Sequence, residues 1–218
     1  LLADGYVLRR LRAAKTREQA GFLALDPRSG AVLAWVGSRD FEQDPFDHVQ
    51  AARRQPGSTF KPFVYGAAFA KGMLPTDQLM DQAVEIPLGG KQVWRPTDGR
   101  TPPSNEPMQL RDGLAYSKNT ITAQLMQQVG PQQVAQLARA MGVRESRLEA
   151  VPALALGTSA VTLKEMVAAY GTIASGGLYR APTVITRIED KNGKLLEAFQ
   201  SAAPERALGL AAAQQLRD

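Results

Sequence analysis

This chain of 218 residues predicts an α+β fold in which an antiparallel sheet is flanked by helices. Three patterns carry that expectation. Two apolar runs, GFLALD and AVLAWVG, stand on either side of Pro27-Arg28-Ser29-Gly30, a turn sequence that folds neighbouring strands into a hairpin. Their mixed apolar character calls for helices over at least one face of the sheet. Segments with helical apolar spacing and recognisable caps follow, and a second hairpin pattern lies near the C-terminal end.

Taken in order, residues 5–19 read as a charged helix, a lead-in to one domain over 20–218. After the first hairpin, residues 39–50 are polar, aromatic and turn-rich and read as a surface loop. A helix starts at or just after Gly57 and runs to about Lys71, with Phe60, Val64, Ala67 and Ala68 as its apolar stripe and Gly72 as its stop. Residues 74–107 include LGGKQVWRPTDGRTPPSNEP and read as an irregular excursion with a short strand over 83–86. Trp94 there either flanks a substrate cleft or packs the loop, and packing is preferred. Residues 109–116 form a short helix and 120–129 another, while Pro131 and Gly142 bracket a third. Thr162 and Glu165 stand at capping-box spacing before a helix that ends at Gly176-Gly177. PTVITRIED, the Lys191-Asn192-Gly193 turn and KLLEAF make the second hairpin, and 205–217 is helical by pattern.

Composition narrows the chemistry. Hydrophobic residues make up 44%, which suits one sizeable core. The net charge of +5 is spread over scattered basic residues, clustered only around Arg9, Arg10, Arg12, Lys15 and Arg17, with no aromatic-interleaved basic stripe. Nucleic acid is therefore a poor partner, while an anionic peptide or cell-wall polymer suits the surface. There is no cysteine and one histidine, which excludes disulfides, thiolate metal sites and a Cys-His pair. A Ser-His-Asp triad would need His48, which lies in FDHVQ near no nucleophile-elbow pattern and reads as structural. No apolar run approaches the roughly 18 residues of a membrane span, and no signal pattern is present. The chain opens on Leu1, so any targeting or anchoring segment is expected outside it.

The stretch QPGSTFKPFVY, residues 55–65, carries the chemistry. With a helix starting near Gly57, Ser58 and Lys61 share one side, since positions three apart are neighbours. A serine needs a base, and a lysine whose pKa is lowered by burial can be one. The helix N-terminus further favours negative charge on an attacked carbonyl oxygen. S-x-x-K arises by chance roughly once in a chain of this size. A second constellation adds weight: Ser117-Lys118-Asn119 falls at a junction between two helices, where Ser117 can relay a proton and the Asn119 amide can contact both lysine and substrate.

S-x-x-K occurs only at Ser58 and S-x-N only at Ser117, in the order seen in penicillin-interacting serine enzymes. RRQPGSTFKPFVYGAAFAKG, LAYSKNTITAQLMQQVG and LALGTSAVTLKEMVAAYGTIASGG, preceded by FLALDPRSGAVLAWVG, resemble the transpeptidase domain of class A, bifunctional penicillin-binding proteins. The likeness runs over about residues 20–218. It implies the serine transpeptidase/β-lactamase-like fold and a D,D-transpeptidase that cross-links peptidoglycan stem peptides and is acylated by β-lactams. By that resemblance Ser58 is the nucleophile, Lys61 the base, Ser117 the proton shuttle and Asn119 a holder of Lys61 and of the substrate amide. It implies no metal or organic cofactor. It also implies an extracytoplasmic parent protein, anchored on the outer face of the cytoplasmic membrane and bearing a glycosyltransferase domain.

The family's third motif, K-T-G or K-S-G, is absent from the 218 residues. Lys191-Asn192-Gly193 reads as a turn, so the expectation is that the C-terminal strands lie beyond this chain and that a further segment or second chain completes the site. Two rival readings share the superfamily. A serine β-lactamase needs a deacylating base, and no E-x-x-L-N segment follows Ser117. A non-catalytic β-lactam sensor is disfavoured by the QPGSTFKPF context together with Asn119.

Overall fold

A computed structural model of the protein describes residues 19–199 and 202–218. The helix expected over 5–19 falls, Gln19 apart, outside the described residues. The first hairpin forms as its sequence predicts. Strand β1, Phe22–Leu25, pairs antiparallel with β2, Val32–Val36. Asp26 holds the turn by accepting from the Arg28 N–H and the Ser29 hydroxyl, and Gly30 supplies a positive φ of 78°. A Cβ at Gly30 would also lie 2.7 Å from the Ala181 carbonyl oxygen, so glycine is required twice over.

The organising element is helix α1, Lys61–Ala70, entered through a single 3₁₀ turn, Gly57–Phe60. Pro62 sits in its first turn, where a missing N–H costs nothing. Phe60, Phe63, Val64, Tyr65 and Ala68 are fully buried, so the helix is apolar nearly all round and runs through the core. Around it pack α2, Leu110–Ala115; α3, Asn119–Val129; α4, Pro131–Met141; a second 3₁₀ turn, Pro152–Leu156; and the C-terminal α6, Leu210–Gln215. Between α4 and α6 comes α5, Leu163–Ala174, capped as expected: Thr162 accepts from the Glu165 N–H while the Glu165 carboxylate accepts from the Thr162 N–H.

The strands pair antiparallel in two-stranded ribbons instead of one sheet, and a parallel bridge joins Ala31 to Thr183. Beyond β1 and β2, the excursion holds β3, Gln78–Met80, and β6, Pro107–Gln109, paired with each other, and the ribbon of β4, Ile86–Gly89, with β5, Gln92–Trp94. The strand expected over 83–86 is thus displaced. The turn at Gly90 pairs 86–89 with 92–94, while the backbone at Asp81 bonds residues 105 and 106 instead. Further on, β7, Leu178–Tyr179, pairs with β10, Glu205–Arg206, and β8, Arg187–Glu189, with β9, Leu195–Ala198, the predicted second hairpin. The helix expected over 205–217 is shortened to α6. Residues 205 and 206 are drawn into strand pairing, the Arg206 guanidinium donates to the Gly176 carbonyl, and Gly209 is extended.

Candidate active site

The 3₁₀ turn sharpens the relation that the sequence suggested. At three residues per turn, side chains i and i+3 eclipse, so Ser58 and Lys61 stand one above the other more directly than on an α-helix. Ser58 is exposed, whereas Lys61 is only 1% exposed. The turn is fixed from outside by residues 157–161 and by α5. Arg54 and Val161 exchange backbone hydrogen bonds, Gln55 donates to the Thr158 carbonyl, and the Tyr170 hydroxyl donates to the Thr59 carbonyl. Gly157 approaches so closely that a Cβ there would sit 2.3 Å from the Gly57 carbonyl oxygen.

The second constellation meets the first. α2 ends at Ala115, and Ser117 then takes a left-handed conformation, φ 57°, which turns both its carbonyl and its hydroxyl toward α1. The Lys61 amine donates to the Ser117 carbonyl oxygen, to Ser117 Oγ at 3.0 Å and to Asn119 Oδ1 at 2.6 Å. Those three acceptors match the three protons of an ammonium. When the amine is neutral it has two protons and a lone pair, so one hydroxyl neighbour must donate to it instead. Burial lowers the Lys61 pKa to about 8, against the attraction of Asp98 and with the help of repulsion from Lys118. Burial thereby moves the proton balance toward the free amine.

Ser58, Tyr116, Ser117, Lys118, Asn119, Asp98 and Thr101 line a cleft of about 410 Å³. Trp94 is not among them: it pairs with Ile86 in the β4–β5 ribbon and packs against Val84, Ile86 and Ala123. A larger hollow of about 540 Å³, lined by Val161, Met166 and Tyr170 among others, includes His48 but neither Ser58 nor Lys61. His48 Nε2 lies 2.8 Å from Asp44 Oδ2 and its ring packs on Phe46, which makes it a loop fastener. Among the described residues no cluster of His, Cys, Asp or Glu is arranged to hold a metal ion.

Sequence reasoning did not single out Asp81, Asp98 or Thr97. Asp98 Oδ1 accepts from the Asn119 N–H at 2.6 Å, and the Asn119 side-chain NH₂ donates to the Thr97 carbonyl at 2.6 Å. Lys118 lies 2.9 Å from both Asp98 Oδ2 and Asp81 Oδ2. Nothing local marks these aspartates; Lys118, between the serine and asparagine, was the only available signal.

An exposed serine one turn before a buried lysine, on the entry turn of a buried helix, is the arrangement expected of a penicillin-interacting serine protein. The chain belongs to the family described as the penicillin binding protein transpeptidase domain, whose model matches residues 20–216. It is 38% identical over 186 residues to penicillin-binding protein 1A of Neisseria meningitidis, covering 84% of this chain and 23% of that protein. To penicillin-binding protein 2D of Bacillus subtilis it is 37% identical over 179 residues, 82% of this chain and 26% of the relative. The crystal structure of penicillin-binding protein 1A from Haemophilus influenzae superimposes with a TM-score of 0.79 at 33% identity, over 84% of this chain and 27% of that one. The resemblance to class A penicillin-binding proteins is thereby borne out, and the chain spans about a quarter of the length of these relatives.

Proposed function

We propose that this chain provides the acylating half-site of a peptidoglycan D,D-transpeptidase. The observation that carries the reading is the Lys61 amine, buried, held by Ser117 and Asn119, and one turn from the exposed Ser58. In the proposed reaction the free amine of Lys61 takes the Ser58 hydroxyl proton as Ser58 Oγ attacks the carbonyl carbon of the penultimate D-Ala of a stem peptide. The Ser58 N–H, with no backbone acceptor among the described residues, stabilises the oxyanion. The proton passes through Ser117 Oγ to the departing amine of terminal D-Ala, leaving an acyl ester on Ser58. An amine of a neighbouring stem peptide then attacks that ester and returns the proton along the same route. β-Lactams acylate Ser58 in the same way, a reading supported by the likeness to penicillin-binding proteins.

The acyl-enzyme with a β-lactam persists. Among the described residues Asp98 is the one carboxylate lining the cleft, and its oxygens face the Asn119 N–H and the Lys118 amine, which leaves it poorly placed to activate a deacylating water. That favours a synthase over a β-lactamase. The reading places the parent protein outside the cytoplasm with a glycosyltransferase domain. Among the described residues no helix is long and apolar enough to cross a membrane. The test is mass spectrometry of the full-length protein after exposure to benzylpenicillin. One adduct, on the peptide carrying Ser58 and absent from S58A, is expected; no adduct, or one on another residue, overturns the reading.

A further inference from the structure

The cleft contains more charge than the proposed acyl transfer uses. Behind Lys61 runs a chain of three groups from three different parts of the sequence: Asp98, then Lys118, then the fully buried Asp81. Asp81 is itself anchored by the Thr120 hydroxyl at 2.6 Å and the Ser104 N–H at 3.0 Å. Asn119 is held by two neighbouring residues, the first of them Asp98. Its Oδ1 fixes the Asn119 backbone, and the neighbouring Thr97 carbonyl takes the Asn119 NH₂, so the amide oxygen is left facing the Lys61 amine.

We infer that Asp98 and Lys118 form a positioning pair for Lys61: Asp98 fixes the Asn119 backbone, and Lys118 offsets the Asp98 charge beside the amine. This rests on the acyl-transfer reading for its kinetic consequence, though not for its electrostatic one. The groups acting on Lys61 agree with it, since Asp98 favours the charged amine and Lys118 disfavours it. The other packed elements bring little charge: the Pro152–Leu156 turn is apolar, and the Tyr65 hydroxyl on α1 is kept protonated by burial. Asp81 keeps Lys118 charged and in place. The middle residue of the S-x-N triplet thus acts through its charge, paired with the two aspartates.

The test measures β-lactam acylation rate against pH in the full-length protein, beside NMR titration of lysine labelled with ¹³C at Cε. In the parent both report a transition near 8. D98N keeps an acceptor for the Asn119 N–H but removes the charge, and its transition moves down by about half a pH unit or more. K118Q moves it up by a similar amount, and D98N/K118Q returns it toward the parent value. Should K118Q fail to fold, D98N alone decides the matter, since a transition left in place there overturns the inference. If the variants lower only the plateau rate and leave the transition in place, these residues are merely structural and the inference is wrong. A parent that shows no acylation while the NMR transitions still move in opposite directions would sink the acyl-transfer reading and leave the charge coupling standing.

Discussion

Ser117 shows how one residue serves two demands. Its left-handed backbone costs an L-residue about 1–2 kcal/mol, and the return is a carbonyl and a hydroxyl both turned to Lys61. S117A and S117G both delete the hydroxyl, so each should slow acylation by about 10²-fold or more, the size of a lost proton-transfer group. Only S117G relieves the backbone, and it should be the more stable of the two by about 1 kcal/mol in chemical denaturation. Equal stability would show that the turn is not strained. At Lys61 the sign of the pH effect follows from burial. Its depressed pKa means that acylation rises as pH passes through about 8. The same depression disfavours folding at lower pH, a penalty that fades as pH rises from about 8 to the ordinary lysine value. K61R cannot shed its proton and should show no rising limb at any pH the fold tolerates.

At the scale of elements, the serine turn is held by what it leans on. Gly157 has a φ of 67° and presses its backbone against Gly57, so G157A both strains its own backbone and pushes the turn outward. Acylation should fall at least about tenfold while the rest of the fold persists, because a small misplacement of a reacting group is costly. Circular dichroism with acylation kinetics separates this from global unfolding. Glu165 fastens the start of α5. Its buried carboxylate accepts from the Glu145 and Ser146 N–H groups, the Ser146 hydroxyl, and the Thr162 N–H and hydroxyl. E165Q keeps the shape and loses the charge on those bonds, and should cost about 2–3 kcal/mol in urea unfolding. A loss below about 0.5 kcal/mol would mean the network is slack.

For the whole molecule, buried carboxylates set the acid limit. Burial alone would raise the Asp81 pKa, but bonds from Thr120, Ser104 and Lys118 outweigh it and bring it to about 2. The hydrogen bonds to Glu165 likewise overcome burial and lower its pKa. A depressed carboxylate contributes stability above its unfolded pKa and loses it as pH falls through the folded one. Stability should therefore decline between about pH 4 and pH 2, and D81N should flatten that decline. Urea midpoints at pH 5, 4 and 3 test it; parallel slopes for the two proteins would show that Asp81 is not a contributor.

What the sequence determined by itself is what short-range forces decide. The 27–30 and 191–193 turns, the capping box at Thr162, the bracketing of α4 by Pro131 and Gly142, and the three-residue spacing of Ser58 and Lys61 each depend on neighbours a few residues away. Other features depend on burial and on partners far along the chain. The pairing of residues 78–80 with 107–109 and of 178–179 with 205–206 has no local signature, and the second diverts part of an expected helix. The aspartates that flank Lys118 come from an excursion without a motif. Lys61 is ordinary as a letter in the sequence. Its lowered pKa arises because packing removes it from water, and packing is a property of the assembled core.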